Sequence, residues 1–184
     1  ATQLMHLTCA VGCAVCDAIE SVTGQRPGIK WTNDLVFGRR KLGGILTELS
    51  LDSEGNVNFA IVGIGINCTQ KVKDFPEDIQ NIATSLAEST KTEISIPQVT
   101  AAILSSLLAM SNDLLSHRET LLEQYRKDCV TLGNEISVVT PIQVRHGIAV
   151  DIDSDGALLV DFSDGHRETV SSGEVSIRGM YGYV

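Results

Sequence analysis

Leu4, Leu7, Val11, Val15 and Ile19 recur at helical spacing, and the opposite side of that stretch carries Cys9, Cys13 and Cys16 in place of charges. A helix that is apolar nearly all round is one buried on both sides. Residues 21–28, with two glycines and Pro27, end it. Strand patterns follow at residues 29–31, 35–37, 42–51 and 57–67, with bends at Asp34 and at Gly38-Arg39-Arg40. Between the last two strands, Asp52-Ser53-Glu54-Gly55-Asn56 has the composition of a hairpin loop. Residues 68–96 are polar and irregular, with a short helix expected around residues 83–87. Helical spacing returns over residues 97–132 through Val99, Ile103, Leu107, Leu114, Leu115, Leu121, Leu122 and Tyr125, and His117-Arg118-Glu119 is the expected break between two helices.

Beyond Gly133-Asn134 the pattern changes to short β-rich stretches at residues 135–140, 143–152, 157–162, 166–170 and 175–177. Asp153-Ser154-Asp155-Gly156 and Ser163-Asp164-Gly165 are turn sequences between them. Strands at roughly ten-residue spacing predict a small closed barrel. The expected division is therefore residues 1–132 and 133–184.

Composition narrows the function classes. The 184 residues hold 14 Lys+Arg against 23 Asp+Glu, a net charge of -9. That balance argues against a surface built to neutralise nucleic-acid phosphates. No apolar run approaches the roughly 20 residues needed to span a bilayer. The start Ala1-Thr2-Gln3 lacks the basic flank of a signal peptide, so a cytoplasmic location is expected. Five cysteines, an odd number in a chain of ordinary size, suggest reduced thiols rather than a disulfide scaffold.

Three strings carry candidate chemistry. Cys9-x3-Cys13-x2-Cys16 has the spacing of an iron-sulfur motif, but a cluster needs a loop that wraps thiolates around it, and these cysteines follow an apolar helical pattern. The packing reading is preferred. Gly63-Ile64-Gly65-Ile66-Asn67 places glycines in a strand, which marks close approach of a ligand or another backbone. The third string joins Lys30-Trp31-Thr32-Asn33-Asp34-Leu35 to Lys41-Leu42-Gly43-Gly44-Ile45-Leu46-Thr47-Glu48. A carboxylate at a bend can hold a hydrated Mg2+ on a triphosphate. A lysine at a strand mouth can stabilise the anion that develops in adenylyl transfer. Glycines beside it leave room for a flat ligand.

Taken together, these strings, followed by Ala83-Thr84-Ser85-Leu86 and the terminal Ser172-Gly173-Glu174-Val175-Ser176-Ile177-Arg178, resemble the catalytic core of the biotin protein ligases, also called biotin-[acetyl-CoA-carboxylase] ligases. Thr32 stands where that family usually has proline. The resemblance implies an α+β fold: a mixed β-sheet with packed helices, an incomplete ligase core, followed by a small SH3-like barrel. It implies formation of biotinyl-5'-AMP from biotin and ATP with Mg2+, then transfer of biotin to a lysine of a biotin carboxyl carrier protein. By the same resemblance, Lys41 contacts biotin and its adenylate as the catalytic lysine. Gly43, Gly44, Ile45 and Leu46 form one wall of the biotin pocket, with Gly63 and Gly65 opposite. Asn33, Asp34 and Asn67 line the nucleotide and metal side, Asp34 acting on Mg2+ indirectly. Glu174 and Arg178 fall where the barrel assists ATP or carrier engagement.

The family's glycine- and arginine-rich loop, and a Ser/Thr-Asn element that binds the ureido end of biotin, have no counterpart in the sequence. The chain is therefore expected to be the carboxyl-terminal part of a ligase with little or no activity alone. Its first helix would lose neighbours, which favours association such as a homodimer. Lipoate attachment and a noncatalytic carrier-binding or dimerisation module are the alternatives. No DNA-binding element is expected within these residues.

Overall fold

The computed structural model describes residues 6–171 and 176–179. The opening helix, α1 (Leu7–Thr23), is buried along Leu7, Cys9, Val11, Cys13, Val15, Cys16 and Ile19, so both of its long sides meet protein. It runs four residues past Ile19, where Ser21 and Thr23 return their hydroxyls to the carbonyls of Ala18 (2.7 Å) and Ile19 (2.8 Å). Gly24 then adopts φ +71° and donates its N–H to Glu20 O, closing the helix with a left-handed residue. Leu4 lies outside the described residues.

Four strands follow in chain order and pair in the same order: β1 (Gly28–Lys30), β2 (Asp34–Phe37), β3 (Arg40–Leu51) and β4 (Val57–Ile66). Every ladder in this sheet is antiparallel; parallel pairing is confined to the isolated bridges Ile29 to Cys129 and Lys41 to Ala83. The mixed character expected of the sheet thus rests on those two bridges alone among the described residues. The β3–β4 loop closes as expected: Asp52 Oδ1 accepts from the backbone N–H groups of Glu54 and Asn56, both at 2.8 Å, and Gly55 sits at φ +82°.

One face of β3 and β4 is covered, fully at Ile45 and partly at Val62, Ile64 and Ile66, and the other is open. Ile45 is buried against α1, where a Cβ added to Gly12 would meet Ile45 Cδ1 at 3.9 Å and Ile29 Cδ1 at 3.1 Å. Gly12 is therefore the position that lets α1 approach the sheet. The helices α3 (Ile96–Asp113) and α4 (Arg118–Asp128) pack against the other sides of α1. They part at the predicted break, where the chain turns between Leu114 and His117. The short helix α2 (Leu86–Thr90) begins later than the composition predicts, because Ser85 Oγ caps it by accepting from Glu88 N (3.2 Å) while Ala83 and Thr84 stay extended beside Lys41.

The second sheet contains β5 (Glu135–Val139), β6 (Val144–Ile152), β7 (Leu158–Phe162), β8 (Arg167–Val170) and β9 (Ser176–Gly179), in the order β8-β7-β6-β5-β9, antiparallel throughout. Ile136, Val138, Ala149, Ile152, Leu158, Val160 and Phe162 fill its inner face. Among the described residues no ladder joins β8 to β9, so the closed barrel expected from strand spacing is seen here as an ordered five-stranded sheet.

Candidate functional site

The antiparallel register sets Lys30 opposite Asp34, Asp34 opposite Gly44 and Gly44 opposite Gly65, so four positions of the recognised strings form one row across all four strands. Two residues further along, Leu46 stands opposite Gly63. Lys41 reaches back over this row, and its Nζ lies 2.6 Å from Asp34 Oδ1. Gly44 is beneath the pair: a Cβ there would meet Asp34 Oδ1 at 3.2 Å and Lys41 Nζ at 3.7 Å. Gly65, by contrast, has open space where its Cβ would be. The result is a floor of backbone at Gly44, Gly63 and Gly65 on the open face, with an ammonium–carboxylate pair at one end and the exposed side chain of Leu46 at the other. A flat apolar ligand with an anionic end matches that arrangement.

The backbone of Lys41 is clamped on its far side. Its N–H donates to Ile82 O (2.7 Å) and its carbonyl accepts from Thr84 N (2.8 Å), which draws Ala83 into a parallel bridge with Lys41. Asn67 continues that clamp. Its N–H donates to Leu42 O, its side-chain Nδ2 donates to Thr84 O at 3.0 Å, and its carbonyl accepts from Leu86 N. Asn33 similarly gives Nδ2 to Ile45 O (2.6 Å) and accepts from Ile45 N (3.0 Å). Both amide donors are thus engaged by backbone, and of Asn33, Asp34 and Asn67 it is Asp34 that places its charge on Lys41.

Two expected pocket residues sit elsewhere. Ile45 is 2% exposed and faces the helices beneath the sheet, so it cannot line the open face with its side chain. Gly43 is turned away as well: a Cβ there would come within 2.1 Å of Gly65 O, which makes it a strand-contact glycine rather than a ligand-facing one. Both corrections have one cause. A strand alternates its faces, so consecutive residues 43–46 cannot all form one wall. Arg178 lies on β9, opposite Ser137 in the second sheet, and Glu174 lies outside the described residues.

Sequence reasoning gave no role to three residues that hold the bend. Trp31 donates its backbone N–H to Thr131 Oγ1 and its indole N–H to Gly156 O, both at 2.9 Å. The Tyr125 hydroxyl donates to Thr32 O at 2.8 Å. All three contacts span about a hundred residues of chain, a distance at which local pattern carries no signal.

Cys9, Cys13 and Cys16 are buried within α1, and among the described residues no group of three His, Cys, Asp or Glu side chains could hold a metal ion. Burial pushes the Cys9 thiol up to about 12 and raises those of Cys13 and Cys16 as well, which keeps them protonated and inert. These are packing groups. No helix of the described residues is long and apolar enough to cross a membrane.

Known proteins resemble this chain in sequence and in fold. Residues 1–67 match the Biotin/lipoate A/B protein ligase family, and residues 131–178 match the Biotin protein ligase C terminal domain. The chain is 33% identical over 171 residues to the bifunctional ligase/repressor BirA of Bacillus subtilis, covering 91% of this chain and 51% of that protein. It is 32% identical over 173 residues to the biotin--[acetyl-CoA-carboxylase] ligase of Mycobacterium tuberculosis, covering 92% of this chain and 61% of that protein. The chain thus spans between half and two thirds of the length of these relatives. Among solved structures, the apo biotin protein ligase from Aquifex aeolicus superposes with a TM-score of 0.83 at 28% identity, over 96% of this chain and 76% of that one. The same enzyme in complex with biotin and ATP gives 0.80, over 96% and 72%.

Proposed function

The chain belongs to the biotin protein ligase family, and from that premise we propose that it forms the lysine-bearing part of a site that adenylates biotin and passes it to a carrier protein. The observation that carries this reading is the Lys41–Asp34 pair, 2.6 Å apart, standing over the glycine floor of Gly44 and Gly65. In the first step the biotin carboxylate attacks the α-phosphorus of ATP and pyrophosphate leaves, giving biotinyl-5'-AMP. In the second, the amine of a carrier lysine attacks the mixed anhydride and AMP leaves. Both steps gather negative charge on oxygens at the carboxyl–phosphoryl junction, and a fixed ammonium there stabilises it. The match of residues 131–178 to a biotin protein ligase C terminal domain supports biotin over lipoate as the acyl substrate.

The site suits Mg2+ carried in on the nucleotide better than a resident ion. Its carboxylate at the glycine floor, Asp34, is already balanced by Lys41, and Mg2+ with a triphosphate needs only one or two protein carboxylates. Asp34 would hold that ion through its water shell.

Biotin-dependent exchange of labelled pyrophosphate into ATP, run on this chain and on a form extended upstream, tests the reading. Exchange is expected in the extended form, and Lys41→Gln in that form should lower kcat by about a hundredfold without loss of fold, in keeping with removal of one preorganised charge. Full exchange by Lys41→Gln would remove Lys41 from the site, and exchange by neither wild-type form would overturn the ligase reading.

A further inference from the structure

The bend that delivers Asp34 to Lys41 is held by one partner in its own sheet and three ties from outside it. Over residues 31–33, the Trp31 N–H goes to Thr131 Oγ1 in the link to the second sheet, the Thr32 carbonyl takes the Tyr125 hydroxyl from α4, and Asn33 is paired with Ile45 of β3. The remaining tie is the longest in sequence. The indole N–H of Trp31, whose side chain is buried, donates to the carbonyl of Gly156 in the β6–β7 turn of the second sheet, 2.9 Å away.

That turn is built to hold the carbonyl still. Asp153 Oδ1 accepts from the N–H groups of Asp155 (2.8 Å) and Ala157 (2.9 Å), and Gly156 N donates to Asp153 O (3.1 Å). Gly156 adopts φ +84°, a conformation that favours glycine. From the other side, Arg118 at the start of α4 donates to Ser154 O and to Asp155. The acceptor for the indole is therefore a fixed point and not a mobile loop.

The geometry points to Trp31 as a positioning residue for the nucleotide side of the site, with the β6–β7 turn of the second sheet as its anchor. The inference rests on the ligase reading and deepens it: through the Trp31 indole, the second sheet sets where Asp34 meets Lys41 and Mg2+-ATP. A buried indole N–H needs an acceptor, and here the acceptor comes from the second sheet and not from the sheet that carries Trp31. Trp31, three residues before the carboxylate of the site, gives its side-chain donor to a braced carbonyl of the β6–β7 turn.

Trp31→Phe keeps an aromatic ring in the core and deletes the donor. In the pyrophosphate-exchange assay on the active form, its KM for Mg2+-ATP should rise about fivefold, the equivalent of one ordinary hydrogen bond, while KM for biotin stays within about twofold. Arg118→Met, which frees the turn from outside, should move KM for Mg2+-ATP the same way, and Arg118→Lys, which keeps a donor, should restore it. A folded Trp31→Phe protein whose KM for Mg2+-ATP is unchanged overturns the positioning role and leaves the ligase reading standing. Should Trp31→Phe fail to fold, the Arg118 pair decides: no difference between Met and Lys overturns the proposal. Absence of exchange in every wild-type form overturns both readings.

Discussion

At the scale of single residues, three glycines beside one another in the same sheet separate packing from binding. Gly65 has open space at its Cβ position, whereas Gly43 would drive a Cβ to 2.1 Å from Gly65 O. Gly65→Ala should therefore leave the melting temperature nearly unchanged yet weaken biotin binding, measured by calorimetric titration of the active form. Gly43→Ala should instead unfold the protein at lower urea, whatever the ligand, because backbone has to move. Gly44→Ala falls between them, pressing on Asp34 at 3.2 Å. His6 supplies a pH dependence. It is buried with Nε2 on Leu114 O (2.9 Å) and Nδ1 without a partner among the described residues, and burial together with the nearby Arg118 holds its pKa below the ordinary 6.5. The unfolded chain then binds the proton more readily, so stability is complete above about pH 6.5 and falls as the pH drops through the window below it, by at most about 1.4 kcal/mol per pH unit. Urea midpoints at about pH 7 and pH 5.5 should show that fall. His6→Gln should flatten it, and an unchanged slope would exclude His6 as its source.

At the scale of elements, the sequence pattern located most of the helices and strands because their burial is periodic. The α1 stripe, the alternation of β3 and β4, and the α3–α4 break all read from local spacing. The late start of α2 did not, because what decides it is a serine cap and the pull of Lys41 on Ala83 and Thr84, a contact across about forty residues. The wall expected from 43–46 failed for a related reason: a contiguous motif is legible as a string, while a strand divides it between two faces. One tie between elements is strong enough to test. Arg26, just after α1, grips the buried Asp128 at the end of α4 with two hydrogen bonds of 2.8 and 2.6 Å, and also meets Asp17 and Glu20. Replacing Arg26 with Met leaves the Asp128 carboxylate buried without its cation, which should cost about 3–5 kcal/mol. Chemical denaturation of Arg26→Met against the wild type measures it. The double variant Arg26→Met with Asp128→Leu should recover much of the loss, since it removes the stranded charge.

At the scale of the whole molecule, the join between the two sheets is where local pattern was least informative and the structure most. Composition and turn residues divided the chain near residue 133, yet nothing in spacing showed that the two parts share hydrogen bonds through Trp31, Arg118 and Arg126. Arg126 alone reaches Ile152 O with two donors, at 3.1 and 2.8 Å, and Asp151 Oδ1 at 3.1 Å. Such a seam has a thermodynamic signature. If the second sheet melted first, it would strip partners from the buried Trp31 indole and from Arg118 and Arg126 at once, so a half-melted molecule would carry the desolvation cost of both states. Differential scanning calorimetry should accordingly give one endotherm, with the van't Hoff enthalpy equal to the calorimetric one, in place of two separated by several degrees. Two sheets that look like separable building blocks in sequence would then behave as one cooperative body, losing catalytic geometry and tertiary structure at a single temperature.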